Sequence, residues 1–222
     1  LEILLKNDEL VPLQTAILSE EMHWYHEPIS GAIITDRPAS LIGFPIIGNA
    51  GPSDSEKGSS CFLERSGDDW LCIEDVTWPL RISDAFQIKG VVYEGTKAIV
   101  RYRNGQVNRI NAAFHAKQFS MVADYLRNEL GRPSLVKKRT LVKIASPNET
   151  NLSILWQFKR LEGRTQTIEI RAINDARGLF PDSKYGVLLA YDDMAESIFE
   201  SVEVSDFMLH KLRRTNPKYK GF

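Results

Sequence analysis

Residues 97–114, KAIVRYRNGQVNRINAAF, decide the fold class of this chain. Two runs with the character of β-strands flank Asn104-Gly105, which is the strongest short sequence signal for a two-residue hairpin turn. A turn at this position pairs Tyr102 with Val107 and Ile99 with Ile110. The stretch therefore predicts two neighbouring antiparallel strands joined by a tight turn.

An amphipathic helix is expected directly after this hairpin. Five apolar residues recur at the spacing that places them on one side of a helix: Phe119, Val122, Ala123, Leu126 and Leu130. Gly131 is placed to cap the C terminus of the helix, and Pro133 cannot continue it. We therefore expect a helix that packs its apolar side against the sheet.

Further strand patterns lie on both sides of the hairpin and helix. Residues 86–93 predict a strand upstream, followed by a turn at 94–97. Downstream strands are predicted at 135–145, 151–160, 166–172 and 185–193, with a turn at 161–164. Ser205 is placed to cap a last helix that has Phe207 and Leu212 on or near its apolar side.

The order of these elements from residue 86 to residue 193 predicts the fold class. Strands linked by hairpins, with the helix at one place among them, indicate an α+β fold: a mostly antiparallel β-sheet with one packing helix and short terminal helices. The lack of strand–helix–strand alternation argues against a doubly wound nucleotide-binding fold. The order has the general look of small bacterial envelope domains, which is a resemblance of fold from which no function follows.

The first sixty residues have a different character. Pro12 is suited to the first turn of a helix, and the residues after it predict one. The Pro/Gly-rich stretch that follows breaks regular structure but keeps apolar patches. We expect an N-terminal helix and a Pro/Gly-rich packed segment over residues 1–60, and an α+β domain over residues 61–222. A single domain is the alternative.

Both cysteines lie in CFLERSGDDWLC, residues 61–72. A hairpin with a two-residue turn sets Cys61 opposite Cys72, with Cβ atoms about 4.5–5.5 Å apart, and permits a disulfide. The same register sets Glu64 opposite Asp69, which is a like-charge pair. A four-residue loop instead sets Cys72 opposite Leu63, and the thiols then pack as small apolar side chains. The spacing leaves both states open.

The composition is that of an ordinary globular protein that can bury its own core, with 43% hydrophobic and 26% charged residues among 222. The net charge of −1 gives no electrostatic reason to expect nucleic acid or an anionic membrane as the partner. No apolar run approaches the ~18 residues of a membrane span, so membrane insertion is not expected. The chain starts at Leu1 and shows no export signal. We interpret this start as a trimmed N terminus, and a periplasmic or secreted location is favoured over a cytoplasmic one.

Motifs for catalysis and cofactor binding are missing. The glycine-rich stretch 43–52 lacks the Gly-Lys-Ser/Thr of a phosphate-binding loop, and neither His-Glu-x-x-His nor Gly-x-Ser-x-Gly occurs. His23 and His26 need a third ligand, such as Glu20 or Glu27, to hold a metal, and lone histidines are much commoner than ligand sets. We therefore predict no catalytic residue, no metal site and no cofactor.

Three groups of residues are candidates for binding a partner. The first group is Trp24, Tyr25 and His26, because exposed aromatic side chains anchor interfaces. The second is Leu179 and Phe180, because apolar side chains in a loop either fill the core or touch a partner. The third is Asp192 and Asp193, because they follow a predicted buried strand, where binding groups often lie.

These observations favour a non-catalytic interaction or scaffolding domain of the bacterial cell envelope, with a protein partner bound between the N-terminal segment and the sheet. One alternative is a small hydrolase in which Asp192, Asp193 and a histidine meet within hydrogen-bond reach. Another alternative is a carrier with a deep apolar pocket for its ligand. An interaction domain is expected to expose an apolar patch instead. The sequence assigns no oligomeric state.

Overall fold

A computed structural model describes residues 3–9, 33–34, 60–64, 69–90, 92–143, 147–159, 165–175, 182–192, 195, 197–216 and 218. The predicted N-terminal helix and most of the Pro/Gly-rich segment lie outside these residues, as does the predicted turn at 161–164. The proposed division into two domains therefore stays a prediction.

The described part of the chain contains one large, almost entirely antiparallel sheet, which confirms the predicted class. Its strands are β1 (Ile3–Glu9), β2 (Ile33–Ile34), β3 (Cys61–Leu63), β4 (Asp69–Asp75), β7 (Lys97–Arg103), β8 (Gln106–His115), β9 (Leu135–Lys143), β10 (Glu149–Lys159), β11 (Thr165–Arg171) and β12 (Tyr185–Asp192). The spatial order is β1-β9-β10-β11-β12-β8-β7-β4-β3, and β2 pairs in parallel with the end of β10. A separate pair consists of β5 (Ile88–Lys89) and β6 (Glu94–Gly95).

The hairpin between β7 and β8 turns at Asn104-Gly105, where both residues have positive φ (53° and 72°) as this turn requires. Tyr102 pairs with Val107, as predicted. The predicted pairing of Ile99 with Ile110 is wrong, because Ile99 faces Asn111. Opposite Arg101 and Tyr102, a bulge adds one residue to β8. Every pair farther from the turn than this bulge is therefore shifted by one residue.

Helix α1 (Phe119–Leu130) connects β8 to β9 across the first face of the sheet, as the apolar spacing predicts. Val122, Ala123 and Leu126 are fully buried in the core on that face, and Leu130 packs against its rim. At the C terminus, the Gly131 N–H donates to the Arg127 carbonyl over 2.8 Å. The predicted cap is therefore confirmed.

The prediction of a strand over residues 86–93 is wrong. Phe86 closes a short 3-10 turn (Ser83–Phe86), and of this stretch only Ile88 and Lys89 pair, with Gly95 and Glu94. A Cβ at Gly90 would lie 2.9 Å from the Tyr93 carbonyl oxygen, so the chain bends here in a way that only glycine tolerates. The apolar residues of this stretch pack as a loop instead, with Phe86 stacked 3.5 Å from Trp78.

Cys61 pairs with Cys72 across β3 and β4, and the two form a disulfide on the first face. This register also sets Glu64 beside Asp69, the like-charge pair that made the disulfide uncertain in the sequence. The structure offsets the charge of Asp69 with Arg103, whose Nη2 lies 2.8 Å from the Asp69 carboxylate.

Two terminal helices, α2 (Ile198–Ser201) and α3 (Val204–Thr215), pack on the second face of the sheet. Phe207 is buried there, with its ring edge-on to Phe62 at 5.1 Å. Ser205 is not the cap, because α3 begins one residue earlier. The start of α3 is fixed by Asp206, whose carboxylate accepts the Glu203 N–H over 2.9 Å. No helix in the described ranges has both the length and the apolar character needed to cross a membrane.

Candidate functional site

Most of the residues predicted to bind a partner lie outside the described ranges: Trp24, Tyr25, His26, Leu179, Phe180 and Asp193. Their role stays a prediction, as does the groove between the N-terminal segment and the sheet. Asp192 is described. It is half-buried at the end of β12, opposite Gln166 of β11.

The acid–histidine arrangement of a hydrolase does not form between β12 and β8. His115 pairs with Tyr185 at the beginning of β12, whereas Asp192 ends that strand. Seven residues of a strand separate these positions by about 23 Å. The Nε2 atom of His115 lies 2.9 Å from the Gln87 carbonyl oxygen instead. Asp192 and His115 therefore cannot exchange a proton directly.

Charged side chains are buried on the second face of the sheet, across the strands from β4 to β9, and no sequence motif pointed to them. We call this set the polar network. It brings together side chains from seven strands and from the segment after β11, and each is buried or nearly so: Asp69, Arg101, Arg109, Asn111, Arg139, Asn151, Glu169, Arg171, Asp175 and Tyr191.

Two carboxylates hold the centre of the polar network. Glu169 accepts from Arg171 Nε over 2.6 Å and from the Tyr191 hydroxyl over 2.9 Å. Asp175 accepts from Arg171 Nη1 over 2.7 Å, from Arg139 Nη1 over 2.9 Å and from the Asn151 amide over 3.0 Å. Each carboxylate therefore contacts at least one guanidinium group at hydrogen-bond distance.

These contacts fix the protonation of the network. Burial alone would raise the pKa of Glu169, but Arg171, with smaller contributions from Tyr191 and Arg139, holds this pKa below its ordinary value. Burial, and then Glu169, raise the pKa of Tyr191. The carboxylate therefore stays ionised and the phenol stays protonated at neutral pH. Groups fixed in this way stabilise an arrangement and are poorly suited to transfer protons.

Arginine dominates the other end of the polar network. Arg101 and Arg109 lie opposite each other on β7 and β8. Arg109 donates to Asn111 Oδ1 over 3.2 Å and to the Ala195 carbonyl over 3.0 Å, and its guanidinium lies 4.8 Å from the centre of the Tyr191 ring. Burial, followed by Arg101, lowers the pKa of Arg109 to about 10. Arg109 still carries its charge at neutral pH, so this end of the network is a buried cationic centre.

Metal chemistry has no support in the polar network. In the part of the chain that the structure describes, no three side chains of His, Cys, Asp or Glu lie together in a way that could hold a metal ion.

An exposed apolar surface lies on the second terminal helix. Met208 is 47% exposed and Leu212 is 46% exposed, and Leu209 beside them is half-buried. Residues of an α-helix follow one another at about 100°, so these three lie on the side turned away from the buried Phe207. We call Met208, Leu209 and Leu212 the outer face of α3. Leu212 was predicted on or near the apolar side that packs, and its exposure corrects that prediction.

Comparison of the chain with protein-family models, curated proteins and solved structures found no match. The assignment of function therefore depends on the geometry of the chain's own residues.

Proposed function

We propose that the protein is a non-catalytic interaction or scaffolding domain of the bacterial cell envelope, and that it binds a protein partner through the outer face of α3. The observation that carries this proposal is the exposure of Met208 and Leu212 side by side, four residues apart on a helix whose other side is anchored to the sheet by Phe207.

The energetics of this surface favour binding. Complete burial of a leucine or methionine side chain is worth about 1.5–3 kcal/mol, so covering the exposed half of each is worth about 1 kcal/mol. A single exposed apolar side chain needs no explanation, but neighbouring ones on a fixed helix form a surface that a partner can cover. Leu80, at 94% exposure, is an example of an isolated apolar side chain.

The disulfide supports the proposed compartment. Disulfides persist in oxidising compartments such as the periplasm and are rare in the cytosol. Cys61 and Cys72 are both buried, so reductants have little direct access to the bond.

The two alternatives have less support. A hydrolase built on Asp192 needs a histidine close by, and β12 places His115 at its opposite end. A carrier needs an apolar cavity, but the first face of the sheet is filled by large side chains that are almost completely buried, among them Trp156, Phe114 and Leu126. A binding surface on the outside of the fold agrees better with this packing.

The proposal is tested by removing the apolar surface without changing the fold. The double variant Met208→Ser/Leu212→Ser is compared with Leu80→Ser/Met121→Ser, which alters two exposed apolar side chains elsewhere. Tagged protein is recovered from the native host after chemical cross-linking, and melting temperatures confirm that both variants fold. We expect about tenfold lower recovery of the partner with the first variant only. Equal recovery with both variants would rule out docking through α3.

A further inference from the structure

We propose that the partner presents an acidic segment with an apolar side to the outer face of α3; this inference rests on the proposed function. The C-terminal part of α3 is exposed at every residue from 211 to 216. Arg213 and Arg214 follow Leu212 there, with Arg213 at the edge of the outer face and Arg214 on the same side of the helix as Phe207, and the exposed Lys218 comes next. The apolar outer face therefore adjoins a cationic end of the helix.

The helix itself does not account for these cations. A helix C terminus carries about half a negative charge, which arginine or lysine in the last turn can offset. Arg213 alone exceeds that charge, and Arg214 and Lys218 add two more positive charges. After the helix dipole has been offset, roughly two and a half positive charges are left at this end of the molecule.

Nearby acidic residues do not account for them either. In the described part of the chain, Arg213 and Arg214 form no ion pair, and the exposed pair between Lys211 and Glu94, at 2.7 Å, involves a different cation. Asp206 is tied to the backbone at the first turn. It lies seven residues before Arg213, about 10 Å along the helix axis. That distance exceeds the screening length of about 8 Å in physiological salt.

Complementarity then defines the chemistry of the partner. Apolar side chains on the partner would cover Met208 and Leu212, and carboxylates at its edge would meet Arg213 and, past the end of the helix, Arg214. Arginine binds carboxylates through two parallel hydrogen bonds, which adds orientation to the charge attraction. An amphipathic acidic segment satisfies both requirements at once.

Anionic membranes and nucleic acids suit this surface less well. An interfacial helix inserts its largest apolar residues into the lipid, but Phe207 of α3 is already buried against the sheet. Nucleic-acid binding depends on many phosphate contacts, whereas the cations here are few and the whole chain has a net charge of −1. A protein partner uses both the apolar and the cationic parts of the surface.

The experiment places a photo-cross-linking amino acid at Leu212 of the full chain in its native host, with Leu80 as the matched exposed control. Cross-linked peptides are identified by mass spectrometry. The cross-link from position 212 is then measured in the double variant Arg213→Glu/Arg214→Glu. Lys117→Glu/Lys184→Glu, which reverses two exposed charges elsewhere, is the charge control.

We expect a cross-link from position 212 that is at least about tenfold above that from position 80. We also expect it to map to an acidic segment and to fall about tenfold on reversal of the two arginines but not of the two lysines. A protein cross-link that maps to a neutral or basic segment or to a second copy of the chain, or that survives reversal of the arginines, refutes the acidic partner and leaves the proposed function standing. A cross-link to lipid or nucleic acid, or none above the control, refutes both.

Discussion

The substitution Glu169→Gln tests whether the polar network depends on its central carboxylate. Glu169 is only 2% exposed, accepts hydrogen bonds from Arg171 and Tyr191, and lies 3.8 Å from Arg139 Nη2. Glutamine has nearly the same shape but no charge, and its amide nitrogen donates where the carboxylate accepted. One side of the new residue would therefore face a donor, and two buried guanidinium groups would lose a counter-charge.

The expected loss follows from the burial of this contact. Removal of one partner from a buried ion pair costs about 3–5 kcal/mol, because the other charge stays buried without compensation. Domains have a total stability of about 5–15 kcal/mol, so the variant should be markedly less stable. Glu74→Gln is the matched control: Glu74 accepts a hydrogen bond from the Tyr102 hydroxyl, and burial raises its pKa, so the neutral residue should cost less than about 1 kcal/mol.

Urea denaturation at several pH values measures both effects. The pKa of Glu169 is lower in the folded chain than the value of about 4.3 in an unfolded chain. Its stabilising contribution is therefore complete above that value and is lost as the pH falls towards the folded pKa. The difference in the free energy of unfolding between wild type and Glu169→Gln should therefore become smaller in acid. The pKa of Glu74 is shifted the other way, so its protonation favours the folded state as the pH falls. If this difference is below about 1 kcal/mol at pH 7, or does not become smaller in acid, Glu169 is not the centre of the network.

Three further predictions concern the first face of the sheet. Leu126→Ala should destabilise the fold by about 2–5 kcal/mol in urea denaturation, because the leucine is fully buried, and a loss under half a kcal/mol would contradict its place in the core. Cys61→Ala/Cys72→Ala should cost about 3 kcal/mol by loss of a short closed loop; the intact protein should be two daltons lighter than its reduced form, and equal masses would mean free thiols. Gly186→Ala should cost at least about 1 kcal/mol in thermal denaturation, because its Cβ would overlap the ring of Phe114, and an unchanged melting temperature would contradict that close approach.

The parts of the fold that depend on local chemistry could be predicted from the sequence. Asn104-Gly105 fixed a turn, and the spacing from Phe119 to Leu130 fixed a helix and its buried side. The bulge in β8 could not be predicted, since it depends on contacts between strands, including the 3.0 Å hydrogen bond from Arg101 to Asn108. The stretch 86–93 was predicted as a strand because it is rich in apolar residues. Loops that pack against the core are also rich in apolar residues, so composition alone does not separate the two.

The polar network was missed because alternation does not say which side of a strand faces water. Arg101, Arg109 and Glu169 alternate with apolar residues, as they would on a half-solvated sheet. Their burial depends on the packing of the whole second face, which no local pattern contains. The outer face of α3 did leave a signal. Residues 207–212 contain more apolar side chains than the one side of the helix that contacts the sheet can cover.

The polar network has a consequence for how the sheet is assembled. β8 and β12 are adjacent in space although α1 and three other strands separate them in the chain, so nothing local sets their register. Arg109 supplies that information, because it contacts the ring of Tyr191 directly opposite and the carbonyl of Ala195 beyond. A slip of one residue would remove Arg109 from these two partners and turn it to the first face, where the core is mostly apolar. The buried charges therefore oppose the wrong register strongly, whatever they add to the stability of the right one.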